Sequence, residues 1–149
     1  MNKLYACDYY MEAMNDLSES EKQLLQFSLP IINKNMEFLV IRFYHHFLQT
    51  KAGVLFKHTK MEDQYKMFAS SLNAIITHIA NPHLLTDNLD MLIHSHVTYG
   101  VMEDHIDYFI ESLMKALEEV FNNEQDKTIL KLWNKLITTI MLYFKEHLI

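Results

Sequence analysis

The chain has 149 residues, half of them apolar and 21% charged, with a formal charge of −6. That length allows one domain with its own core, and the composition excludes a disordered polyelectrolyte. The negative charge excludes a general nucleic-acid binder, which needs clustered Lys and Arg to neutralise phosphate. No apolar run reaches the ~20 residues of a membrane span. Only two glycines (Gly53, Gly100) and two prolines (Pro30, Pro82) are present. Those are too few turn residues for a sheet-rich domain, so the expected class is all-α. Cys7, the single cysteine, has no internal disulfide partner, which fits a reducing cytoplasm.

Residues 1–16, with Tyr5, Tyr9, Tyr10, Met11 and Met14, read as an N-terminal extension, and 17–149 as the domain. Ser18 to Glu21 is a capping-box pattern that opens a helix carrying Leu24, Leu25, Phe27 and Ile31, with a bend expected at Pro30. A second helix runs from about Asn35 to Leu48 and carries Phe38, Val40, Ile41, Tyr44, Phe47 and Leu48. A connector containing Gly53 ends at Leu55-Phe56. The third helix spans roughly Met61 to Ile79, with Phe68, Leu72, Ile75 and Ile79 on one face, and Asn81-Pro82 stops it. Thr86 or Asp87 caps a shorter helix with Leu89, Leu92, Ile93 and His96, and Gly100 stands where a C-terminal glycine belongs. Two long amphipathic helices follow. One, from Glu103 to Phe121, carries Ile106, Phe109, Ile110, Leu113, Leu117 and Val120. The other, from Asp126 to His147, carries Ile129, Trp133, Leu136, Ile140 and Phe144.

Nine histidines invite a metal-site reading. Geometry removes most of it, since His94 and His96 stand about 200° apart on a helix and His45 and His46 about 100° apart. There is no His-Glu-x-x-His spacing, cysteine pair or carboxylate cluster for zinc or di-iron. His45, His46, His58, His78, His83, His94 and His147 are expected at the surface or rim. His96 differs because it shares the apolar face of Leu89, Leu92 and Ile93. On periodicity alone it reads better as a core histidine bonded to backbone than as a ligand. Gln64, between Met61 and Phe68, interrupts a second apolar stripe, and Tyr44, between Val40 and Phe47, a third. Three polar groups brought inward from three helices need a common reason, because each is costly to bury. No nucleophile elbow or phosphate-binding glycine loop is present.

These residues, in this order, resemble bacterial single-domain globins and the haem domain of flavohaemoglobins, from Ser18 onward. Phe43-Tyr44, fourteen residues after Pro30, resembles the Phe-Tyr pair of the second globin helix. Leu55-Phe56 resembles the Leu-Phe that ends the next connector. Thr59-x-Met61-x-x-Gln64 with Met67-Phe68 resembles the start of the distal helix. His96-x-x-Tyr99-Gly100-Val101, followed by His105, resembles the proximal helix and the corner after it.

The resemblance implies a three-over-three helical sandwich around haem b, with His96 as the axial ligand of the iron and an open sixth position. It implies Tyr44 and Gln64 as distal donors to bound oxygen, with Phe56 and Phe68 as walls. Tyr99, Val101 and His105 are implied at the proximal side, with His105 or Tyr99 near a propionate. Ser95 or a backbone carbonyl would take the other ring proton of His96. The implied function is reversible binding of oxygen or another diatomic ligand such as nitric oxide or carbon monoxide. The alternatives are a nitric-oxide dioxygenase served by a separate reductase, or a gas sensor or interaction module. The sequence also departs from the flavohaemoglobin pattern. The Tyr44-to-Phe56 connector is about two residues shorter and lacks a proline. Ile106 and Leu148 stand where a tyrosine and a glutamate polarise the proximal histidine, which weakens an oxygen-activating reading.

Overall fold

The computed structural model describes residues 15–78, 90–96 and 101–148. Helix α1 (Glu19–Lys34) opens on the expected capping box: Ser18 Oγ accepts the Glu21 N–H at 3.1 Å, and Glu21 Oε1 accepts the Ser18 N–H at 2.9 Å. It continues through Pro30 to Asn35, which also begins α2 (Met36–Phe47). A 3₁₀ turn (Lys51–Phe56) follows, capped by Thr50, whose hydroxyl accepts the Ala52 N–H at 3.2 Å. Gly53 is required in this turn, because a Cβ there would lie 2.2 Å from the Leu48 carbonyl oxygen.

Helix α3 is Met61–His78, and residues 90–96 form the described part of α4. Helix α5 (Glu103–Val120), a short turn (Glu124–Asp126) and α6 (Lys127–Glu146) complete the chain. The expected stop at Asn81-Pro82, the Thr86 or Asp87 cap, Leu89, Gly100 and the extension up to residue 14 lie outside the described residues. No described helix is long and apolar enough to cross a membrane.

Every element among the described residues is helical, the all-α class the sequence implies. Helix α2 packs most extensively on α5, α5 on α6, and α1 on α6. Leu39, Val40, Phe43 and Tyr44 of α2 are buried with Ile106, Leu113, Ala116 and Leu117 of α5. Two long-range polar ties fix these crossings. Trp133 Nε1 donates to Ser28 Oγ at 2.9 Å, and Ser28 passes its own proton to the Leu25 carbonyl at 2.6 Å, joining α6 to α1. Arg42 donates through two nitrogens to Glu119, and His46 Nε2 meets the same carboxylate at 2.7 Å, joining α2 to α5. The Arg42 hydrogen bond is the main reason the Glu119 carboxyl is held at about 2, with His46 adding to it against some desolvation.

Phe27 of α1 is 66% exposed. The buried positions of α1 are Leu25, Ser28 and Ile32, so the inward place beside Phe27 goes to a serine with a hydrogen-bond partner. Phe38 and Ile41 of α2 also face out.

Candidate functional site

One cavity collects residues from helices α2 to α6 and from the 3₁₀ turn Lys51–Phe56. Tyr44 enters from α2 and Leu55 and Phe56 from the 3₁₀ turn. Helix α3 contributes Gln64, Phe68, Leu72 and Ile75, and α4 contributes Leu92 and His96. Val101, His105, Ile106 and Phe109 come from the start of α5, and Met141 and Phe144 from α6. The wall beneath Tyr44 is aromatic. Phe43 stacks on Phe68 at 4.5 Å and on Phe47 at 5.0 Å, and meets Phe109 edge-on at 5.2 Å. Phe56 packs edge-on against Tyr44 and Phe47, each at 5.7 Å. Each such pair adds about 0.5–1.5 kcal/mol beyond the area it buries, and together they fix the orientation of the tyrosine.

Tyr44 is 1% exposed, so its hydroxyl must find partners inside the protein. Gln64 Nε2 donates to the phenol oxygen at 2.9 Å. That bond uses an oxygen lone pair and leaves the phenol's hydrogen available for donation. Burial pushes the Tyr44 pKa up to about 12, outweighing the lowering by Gln64. The group is therefore a neutral donor throughout the physiological range.

On α4, His96 Nδ1 lies 2.6 Å from the Leu92 carbonyl oxygen. A carbonyl only accepts, so the proton sits on Nδ1 and the lone pair on Nε2. The ring meets Phe144 edge-on at 5.4 Å and 83°. Ser95 donates its hydroxyl to the Met91 carbonyl at 3.2 Å, so the backbone carbonyl takes the imidazole proton. His94 is exposed and does not line the cavity. His105 Nδ1 accepts the Met102 N–H at 3.0 Å, which caps α5 and puts the ring proton on Nε2. Tyr99 lies outside the described residues.

Of the residues singled out from sequence, the structure gathers Tyr44, Phe56, Gln64, Phe68, His96, Val101 and His105 around this one space. Ile106 lines it too and is buried, while Leu148 is packed at the edge of the core. Sequence reasoning did not assign Leu72, Ile75, Met141 or Phe144 to the site. The signal was available for the first two, since Gln64, Phe68, Leu72 and Ile75 recur at helical spacing on one face.

A flat apolar macrocycle with a metal at its centre asks for aromatic walls, one protein nitrogen with a free lone pair, and few other polar groups. The donor set meets that request: His96 Nε2 is the available nitrogen, and Tyr44 and Gln64 supply neutral donors. The model of the family described as Globin matches residues 40–143, and the chain belongs to the globin family. Globins bind diatomic gases through haem.

The chain is 26% identical over 111 residues to a flavohemoprotein of Rhodopirellula baltica, covering 72% of this chain and 27% of that protein. It is 24% identical over 121 residues to a flavohemoprotein of Bordetella pertussis, covering 78% and 30%. It thus spans less than a third of the length of these two relatives. An uncharacterized globin-like protein of Aquifex aeolicus is 26% identical, with 80% of this chain and 85% of that one covered. Among solved structures, a bacterial globin from Campylobacter jejuni aligns with a TM-score of 0.73 and 25% identity, covering 87% of this chain and 95% of that one.

Proposed function

We propose that residues 17–149 form a haem b domain that reversibly binds oxygen, or another diatomic gas such as nitric oxide or carbon monoxide, in the cytoplasm. When bound, haem would supply an iron that takes one nitrogen from the protein and binds a diatomic gas. His96 is the protein ligand in this reading. Its Nδ1–H bond to the Leu92 carbonyl fixes the tautomer and ring orientation. Phe56 and Phe68 exclude water from the gas side. Tyr44 donates its phenol proton toward negative charge in that space, and Gln64 holds the phenol oxygen in place. In a dry pocket such a bond is worth more than in water. Val101 and His105 would border the macrocycle, and His105 or Tyr99 would meet a propionate.

The observation that carries this reading is the junction of the Gln64–Tyr44 pair and the His96 lone pair in one aromatic cavity. The test is the absorption spectrum of the reduced, haem-loaded protein with and without carbon monoxide. A Soret band that shifts with carbon monoxide is expected. Absence of the band after haem addition would sink the proposal, and a six-coordinate spectrum without gas would mean that a side chain fills the open position.

The flavohemoprotein relatives favour a second reading, a nitric-oxide dioxygenase working with a separate reductase. Ile106 and Leu148 oppose it, because neither can polarise His96. Nitrate formation from nitric oxide at a rate matched to electron supply would establish the second reading over the first.

A further inference from the structure

A protein that binds oxygen at ferrous haem needs an electron source to return the iron to that state, and the surface beside the cavity indicates its chemistry. In a chain of formal charge −6, residues 51–60 (Lys-Ala-Gly-Val-Leu-Phe-Lys-His-Thr-Lys) contain three lysines, one histidine and no acid. Lys51, Lys57, His58 and Lys60 are exposed, and none of the three lysines has an ion pair among the described residues. Five other lysines do pair: Lys22, Lys115, Lys127, Lys135 and Lys145. Between the cations stand two outward apolar side chains, Val54 at 68% exposure and Leu55 at 38%.

This segment abuts the cavity. Leu55 and Phe56 line it, as does Met67 of α3, which is itself 60% exposed. The cavity therefore reaches the surface at an apolar lip with cations on the connector side. The Thr50 cap and the close approach of Gly53 to Leu48 hold that connector in place. Glu62 and Asp63, in the first turn of α3, bound the patch where they complement the helix dipole.

An apolar centre with a rim of one charge suits brief, oriented encounters. Opposite charge on the partner speeds the approach, and the small dry centre aligns the cofactors without holding them. We infer that the lip formed by Val54, Leu55 and Met67, with Lys51, Lys57 and Lys60, docks an acidic electron-transfer protein. The inference rests on the haem reading. In the step it serves, one electron leaves the reduced carrier, which is oxidised, and converts ferric haem iron to ferrous, with no bond made or broken.

The experiment mixes the haem-loaded ferric protein with excess reduced flavodoxin, an acidic one-electron carrier, under anaerobic stopped flow at low and high salt. The second-order rate should fall about tenfold or more on adding salt. The Lys51→Glu, Lys57→Glu, Lys60→Glu variant should lose about tenfold at low salt. A charge-matched control, Lys34→Glu, Lys115→Glu, Lys131→Glu, should stay near the parent rate. Haem loading and the carbon monoxide spectrum are read before mixing, so failure of the haem reading shows there and is separate from failure of docking. A salt-independent rate, or equal loss in both triple variants, overturns the proposal. So does self-association in sedimentation velocity, or binding to phosphatidylglycerol vesicles, that the first variant abolishes while its electron uptake is unchanged.

Discussion

Tyr44 and Gln64 meet through side chains from two helices, whereas the hydrogen bond described for His96 goes to the backbone of its own helix, at Leu92. The distal pair therefore depends on how α2 and α3 are placed against each other. The Nδ1–H bond of His96 needs only that α4 remain helical, while its ring also packs on Phe144 of α6. Their chemistry differs in the same sense. The distal end has a buried phenol with a proton to give. His96 donates its Nδ1–H to a neutral carbonyl rather than to a carboxylate, which on the proposed reading would push little electron density toward a bound metal. That division suits holding a gas better than activating it.

The sharpest break of this comparison is His96→Ala. Without the Nε2 lone pair the proximal end has no ligand, and the protein should fail to retain haem through gel filtration, read as loss of the Soret band. His94→Ala, at an exposed position that does not line the cavity, should retain it. Equal loss in both variants would reassign the proximal end.

Tyr44→Phe tests the distal end at smaller amplitude. A hydrogen bond to a charged acceptor is worth roughly 1.5–3 kcal/mol, so oxygen release should speed up by about 10- to 100-fold with haem still bound. Gln64→Leu removes only the support of the phenol oxygen, a neutral bond of about 0.5–1.5 kcal/mol, and should speed release by roughly 2- to 10-fold. Stopped-flow replacement of oxygen by carbon monoxide measures both. If Gln64→Leu has the larger effect, the roles of donor and support are reversed.

These two ends were not equally legible in the sequence. The helices were, because capping at Ser18 and apolar periodicity are local signals. So was the inward course of Tyr44, Gln64 and His96, each a polar residue breaking an apolar stripe. Their convergence on one cavity was not in the periodicity, and it came from the family resemblance. The partner of His96 was left between Ser95 and a carbonyl, because both lie within one helical turn and only coordinates separate them. Ser28 with Trp133, 105 residues apart, and Arg42 with Glu119, 77 apart, were invisible to spacing.

The smallest expected effect concerns what holds the helix that carries Tyr44. Helix α2 is tied to α5 by Arg42, His46 and Glu119, whereas α4 is tied to α6 by Tyr143, which donates to Asp90 at 2.7 Å. The tie on α2 thus carries an acid-sensitive charge pair. Glu119 falls from an ordinary 4.5 to about 2 in the folded protein, chiefly through the Arg42 hydrogen bond. Between those values the unfolded chain takes up a proton that the folded chain refuses. The stability this carboxylate contributes is therefore fully present above about pH 4.5 and lost as pH falls through about 2. Glu119→Gln should be less stable than the parent near neutral pH, and the gap in thermal melts should close across that acid window. Because the pair is partly solvent-exposed, added salt should narrow the gap as well. A gap that stays constant with pH would show that Glu119 acts by packing, and that the tie on α2 is no more electrostatic than the one on α4.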